Sequence, residues 1–147
     1  MHLLTAAPTT AAKPTVLTNV VLALFRVLVG VSFAFHGCST LFGKPVAPHG
    51  ALPAVGAWPS WWAGMIELVA GAAVALGLGT RIAALLCSGA MAYAFLTVHL
   101  KHGILPIKNG GEPAVLFCWS FFLIAIIGPG PYSLDALIGR YRRGSAD

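Results

Sequence analysis

Apolar residues fall into four long runs, separated by segments rich in Pro, Gly and polar side chains. Residues 1–18, rich in Ala, Thr and Pro, read as a flexible tail. The first run extends from about Asn19 to Phe42 and continues unbroken through Arg26 and His36. The apolar region of a signal peptide is shorter and uncharged. This run has about the twenty residues that a bilayer span requires, so it reads as a retained helix. Gly43 to Ala57 contains Pro45, Pro48 and Pro53 and is expected to be a loop. The second run, Trp58 to Leu78, opens with Trp58, Trp61 and Trp62, the aromatic belt of a membrane interface. Gly77-Leu78-Gly79-Thr80-Arg81 predicts a tight turn, with Thr80 placed to cap the third helix, Arg81 to Leu100. A polar loop from Lys101 to Gly111 follows. The fourth helix begins near Glu112-Pro113, where the missing proline N–H costs no helical bond, and stops at Gly128-Pro129-Gly130-Pro131.

Beyond that stop, Ser133 can cap a short helix. Leu134, Leu137, Ile138 and Tyr141 recur at helical spacing on one face, with Arg140, Arg142 and Arg143 close by. The pattern suits a segment lying on a membrane surface, or a frayed tail. The predicted fold is all-α: an integral membrane four-helix bundle running up-down-up-down, with a short C-terminal amphipathic helix. It divides into a tail (1–18), a four-transmembrane-helix domain (19–128) and a basic amphipathic tail (129–147).

Composition points to the same solvent. Hydrophobic residues make up 58% of the 147, and charged residues only 9%, against about a quarter charged in soluble domains. The net charge of +5 comes from side chains near the ends of the apolar runs, which suits lipid headgroups and excludes nucleic acid as the natural partner. An even number of spans puts both termini on one side. Lys13, Arg81, Arg140, Arg142 and Arg143 would lie there, against Lys44, Lys101 and Lys108 opposite, which favours cytoplasmic termini. Cys38, Cys87 and Cys118 stand singly within apolar runs and read as small buried hydrophobes, not as a disulfide or zinc framework. Phosphate loops and nucleophile elbows are absent from the sequence.

Ionisable residues inside the runs carry the remaining information, because each is expensive in hydrocarbon. At 1.5 Å per residue, Arg26 lies roughly 13 Å into the first span, and Glu67 roughly 18 Å from the same surface. An Arg26–Glu67 ion pair is therefore expected. Two readings of it stand: a polar centre that binds a ligand or moves a proton, or a pair that fixes helix register. Gly64, Glu67, Gly71 and Ala75 share a face of the second helix, and Arg26, Gly30, Phe33 and Gly37 share one of the first, so these helices can approach closely. His36, His99, His102 and Glu112 fall at the opposite membrane end. Imidazoles beside a carboxylate can bond a quinone carbonyl, relay protons or ligate a metal. No H-x-x-E-H spacing supports a metal, so quinone or no ligand ranks ahead. His102 and His49 read as interfacial. Tyr93 and Thr97 share a face that can line a polar pocket or make interhelical hydrogen bonds.

Several ordered segments resemble the DoxX family. They are Arg26-Val-Leu-Val-Gly30, Phe35-His36-Gly37, Leu41-Phe42-Gly43, Gly77-Leu78-Gly79-Thr80-Arg81, Ala94-Phe95-Leu96-Thr97-Val98-His99, Asn109-Gly110-Gly111-Glu112 and Gly130-Pro131-Tyr132-Ser133-Leu134-Asp135, with Glu67 at the family's acidic position in the second helix. The resemblance implies a multi-pass protein of the bacterial plasma membrane, associated with quinone, thiol or oxidative-stress chemistry as a membrane subunit of an oxidoreductase system. It carries over Arg26, His36, Glu67, Arg81, His99, Asn109 and Glu112 as site positions. Thr40 departs from it, since the family commonly has Lys before Leu-Phe-Gly. The expected partners are the lipid bilayer, a soluble redox protein and a second copy of the chain. The rival functions are a non-catalytic scaffold for soluble redox enzymes and a small transporter, the latter disfavoured by the lack of paired broken helices.

Overall fold

The structure, a computed structural model, describes residues 14–48 and 50–145, and those residues contain helices and no strand. Most of the expected tail, together with Lys13 and His49, lies outside the described residues. Helix α1 spans Val16–Phe42, starting before the expected Asn19 because the Thr15 side chain accepts the Thr18 N–H at 3.2 Å. It ends at Gly43, whose φ of 66° closes the helix in the left-handed region.

Helix α2 covers Ser60–Leu76, and its backbone widens to a π-helical turn over Ile66–Ala70. Its end is a Schellman turn: Leu78 N–H bonds Ala73 O at 2.9 Å and Gly77 N–H bonds Val74 O at 3.0 Å, with Gly77 at φ 74°. Helix α3 is Thr80–His102, regular to Ala94, then π-helical over Phe95–His99 and 3₁₀ over Leu100–His102. The expected polar loop contains one short helical turn, α4 (Pro106–Asn109). Helix α5 is Glu112–Ile127 and helix α6 is Leu134–Gly144, the latter capped as expected by Ser133 Oγ, which accepts the Ala136 N–H at 3.2 Å.

Helix α1 packs along α2, α2 touches α3, α3 packs along α5, and α5 returns to α1. The buried residues of α1 are Arg26, Gly30, Phe33 and Gly37, the face read from the sequence. Small residues let its backbone meet that of α2. A Cβ on Gly30 would sit 2.6 Å from Ala75 N and 2.7 Å from Gly71 O, so only glycine fits there. Phe33 fills the centre, with its ring 4.7 Å from Phe121 and 5.2 Å from Phe117. Val74, Ala84, Cys87 and Ile124 complete the packed interior.

Helices α1 and α3 are long and apolar enough to cross a membrane, whereas α2 and α5 are apolar but shorter. Only 17% and 22% of the apolar windows of α1 and α3 are buried. A core helix of a soluble protein would hide most of that surface.

Candidate functional site

Three charged side chains, Arg26, Arg81 and Asp135, gather at one end of the molecule, and each is engaged by a helix terminus. The last carbonyls of a helix have no partner within it. Arg26, only 2% exposed, reaches those of α2: its Nη1 donates to Val74 O and Ala75 O, each at 2.6 Å. Its Nη2 donates to Tyr132 O at 2.8 Å, while Nε is buried with no partner among the described residues. Arg81 does the same for α5, with Nη1 donating to Ala125 O at 2.7 Å and Ile126 O at 2.9 Å.

Asp135 serves the opposite kind of terminus. Its carboxylate accepts the Gly79 N–H at 2.8 Å, the Thr80 N–H at 2.9 Å and the Thr80 hydroxyl at 2.8 Å, and so caps α3 from the far side of the chain. The expected cap, Thr80 itself, instead donates its hydroxyl to that carboxylate. Burial works to raise the Asp135 carboxyl. The Thr80 N–H and hydroxyl, the Gly79 N–H and the Arg26 charge outweigh it and hold the group below its ordinary value.

The expected Arg26–Glu67 ion pair does not form. Gly30 lies against Gly71 and Ala75, and Gly37 against Gly64 and Leu68. In that register Arg26 faces the end of α2, and Glu67 lies roughly 12 Å further along it from Ala75. Glu67 is instead paired with Thr40, whose hydroxyl donates to Oε2 at 3.1 Å. The carboxyl sits within the π-helical turn of α2, a local geometry frequent at functional sites. Thr40 also lines a cleft of about 690 Å³ shared with Ser32, His36, Ser39 and the Pro45–Pro48 loop. His36 is exposed on that side, with its ring edge-on to Phe117 at 5.5 Å.

The remaining candidates do not converge on this pair. His99 Nδ1 lies 3.1 Å from Asn109 O. Asn109 itself ties the loop, donating Nδ2 to Gly103 O at 2.6 Å and accepting the Gly111 N–H at 2.8 Å. Glu112 is exposed in the first turn of α5. Thr97 donates its hydroxyl to Tyr93 O at 2.7 Å, one turn back in its own helix, which leaves it no role as a pocket donor. Tyr93 packs edge-on to Trp58 at 6.3 Å and lines an apolar groove of about 300 Å³ between α2 and α3. Arg81 belongs to the opposite end altogether. Sequence reasoning gave no role to Ser39, to the Thr40 hydroxyl or to the Asp135 carboxylate. One signal was available: continuing the Arg26, Gly30, Phe33, Gly37 face by one turn reaches Thr40.

The three cysteines are free, and Ser88 donates its hydroxyl to Cys118 O at 2.9 Å. Among the described residues, no three His, Cys, Asp or Glu side chains cluster closely enough to hold a metal ion.

A family model described as DoxX matches residues 21–100. A Haemophilus influenzae protein described as uncharacterized is 37% identical over 117 residues, covering 78% of this chain and 87% of the relative. No solved structure matches the chain. The family match and the two long apolar helices together point to a membrane protein.

Proposed function

The chain belongs to the DoxX family, and on that premise we propose that it is a four-span membrane subunit of a redox system, with Glu67 exchanging protons with a quinone. Helices α2 and α5, at 1.5 Å per residue, are about 25 Å long, slightly less than the roughly 30 Å hydrocarbon layer. Local thinning and interfacial anchors absorb a mismatch of that size. Trp58 and Trp62 belong to one interface, and Arg81, Arg140, Arg142 and Arg143 to the other, cytoplasmic one of a bacterial plasma membrane.

The observation that carries this reading is the Glu67–Thr40 pair. A charged side chain at mid-membrane costs about 3 kcal/mol on insertion scales, and Arg26 is turned to other acceptors. A carboxyl whose hydrogen-bond partner is one hydroxyl suits a group that alternates between protonated and ionised forms. A quinol in the cleft of Ser32, His36 and Ser39 would pass one hydroxyl proton to the Thr40 oxygen as Thr40 gives its own to Glu67, and the other to His36 at the mouth of the cleft. Its two electrons would leave to a soluble redox protein that acts as the oxidant, so that quinone is the product.

Quinone binding to the purified protein in lipid nanodiscs tests the proposal. Wild type should bind, and Glu67→Gln should weaken binding at least about tenfold, the equivalent of 1.4 kcal/mol. Equal binding by both proteins, or none by wild type, removes the quinone and leaves the anchoring role.

A further inference from the structure

Helix α6 is fastened to the rest of the chain at its start by a polar flank, and much of its apolar face stays open. Three contacts fix its start: Asp135 N–H to Gly77 O at 2.9 Å, the Asp135 carboxylate on Gly79 and Thr80, and Arg26 on Tyr132 O. These bind it to the turn between α2 and α3, at the arginine end. At 100° per residue, Leu134, Leu137, Ile138 and Tyr141 form one stripe, and Asp135 lies about 110° away from its centre. Fastening the helix through Asp135 therefore turns the stripe away from the protein. Leu137 is 60% exposed and Tyr141 77%, while Leu134 and Ile138 are 36% and 39% exposed.

A short helix that merely completed the core would present its stripe inward. This one presents it outward, at the level where α3 begins. Its charges match the setting. Arg140 and Arg142 flank the stripe by about 90–110° on either side, and Arg143 lies opposite it. Asp135, the acidic residue of the helix, is turned to the α3 terminus. Arg140 reaches only Pro131 O, at 3.5 Å, and Arg142 and Arg143 bond nothing among the described residues. An apolar stripe bordered by long cations places its stems in the acyl boundary and its guanidinium groups among headgroups.

We propose that α6 is a lipid-binding arm whose stripe enters the cytoplasmic leaflet and whose Arg140, Arg142 and Arg143 take the phosphates of anionic phospholipids. The arm rests on the four-span reading and is independent of the quinone. It also assigns a second purpose to the Asp135 clamp, which fixes the rotation of α6 so that the stripe meets lipid. Guanidinium groups suit phosphate because their planar fork makes paired hydrogen bonds.

The test places a benzophenone amino acid at Tyr141 and, in a separate protein, at Trp119, an exposed residue of α5. Both are irradiated in nanodiscs of phosphatidylcholine, with or without phosphatidylglycerol, and in native membranes. Position 141 should form phospholipid adducts, several-fold more with phosphatidylglycerol present, and Arg140→Gln/Arg142→Gln/Arg143→Gln should abolish that excess. Adducts at 141 to a soluble protein or to a second copy of the chain, adducts indifferent to lipid charge, or none at all would overturn the arm while lipid adducts at 119 persist. Failure at both positions would instead bring down the four-span reading, and the arm with it.

Discussion

The two ends of the molecule use polar side chains for opposite purposes. At the arginine end, Arg26, Arg81 and Asp135 each meet a helix terminus, and between them they satisfy groups of α2, α5 and α3. Toward the other end, Glu67 has one hydroxyl partner and His36 borders an open cleft. A charge in an apolar helix is thus informative about chemistry only once the backbone has been accounted for. Four carbonyls are left over at every helix end, and where water is scarce an arginine that reaches them is doing structural duty.

That contrast is broken most severely at Arg26. Replacing it with Met removes three charge-assisted bonds from a nearly sealed site and leaves carbonyls of α2 short of donors. Charge-assisted bonds contribute about 1.5–3 kcal/mol each and are not additive, so a loss of about 3–5 kcal/mol is expected. Unfolding midpoints in nanodiscs measure it. Arg26→Lys should recover only part, because one ammonium lacks the fork that spans Val74, Ala75 and Tyr132. If Lys restores full stability, the arginine acts as a bare charge and the capping account is wrong.

Asp135 comes next. Truncating a helix cap to Ala costs about 0.5–2 kcal/mol, and Asp135→Asn, which keeps one of the two acceptor oxygens that Asp135 uses, should fall at the lower end of that range. The pH dependence has a definite sign. The folded carboxyl titrates below its ordinary value, so its contribution is complete above the unfolded-state value of about 3.9. It is lost as the pH falls through the lower, folded value. Stability in nanodiscs should therefore drop on acidification below about pH 4, and the Asn variant should lose that part of the slope. Identical acid profiles for the two proteins would remove the clamp from the account.

Much of this was legible in the sequence, for physical reasons that also explain the rest. The helices announce themselves by apolar runs ended at Gly43, Gly77 and Gly128, and the inner face of α1 follows from the spacing of Arg26, Gly30, Phe33 and Gly37. The register between α1 and α2 was not legible. It is set by how closely Gly30 and Gly37 let two backbones approach, and a shift of a few residues decides whether Arg26 meets a carboxylate or a helix end. The Asp135 cap was equally hidden, since it joins residues 55 apart in the chain. So was the π-helical turn at Glu67, for which no residue type is a marker. Asn109 carried a motif signal that the structure explains as loop closure.

The smallest effect on stability is expected at Glu67, and there the comparison is sharpest. Interhelical hydrogen bonds between membrane helices average about 0.6 kcal/mol, and Gln retains an acceptor for the Thr40 hydroxyl. Glu67→Gln should therefore shift the unfolding midpoint by less than 1 kcal/mol, against several for Arg26→Met. Thr40→Val removes the donor and should cost about the same small amount, since one weak bond is lost at a partly buried position. Thr40→Lys goes further: it sets an ammonium against the carboxylate and gives this region the neutralised character of the arginine end. Stability should then hold or rise slightly, while quinone binding falls as it does in Glu67→Gln. A Thr40→Lys protein that binds quinone like wild type would mean that an ionised, permanently paired carboxylate serves as well as a titrating one. Glu67 would then join Arg26 as a part of the scaffold.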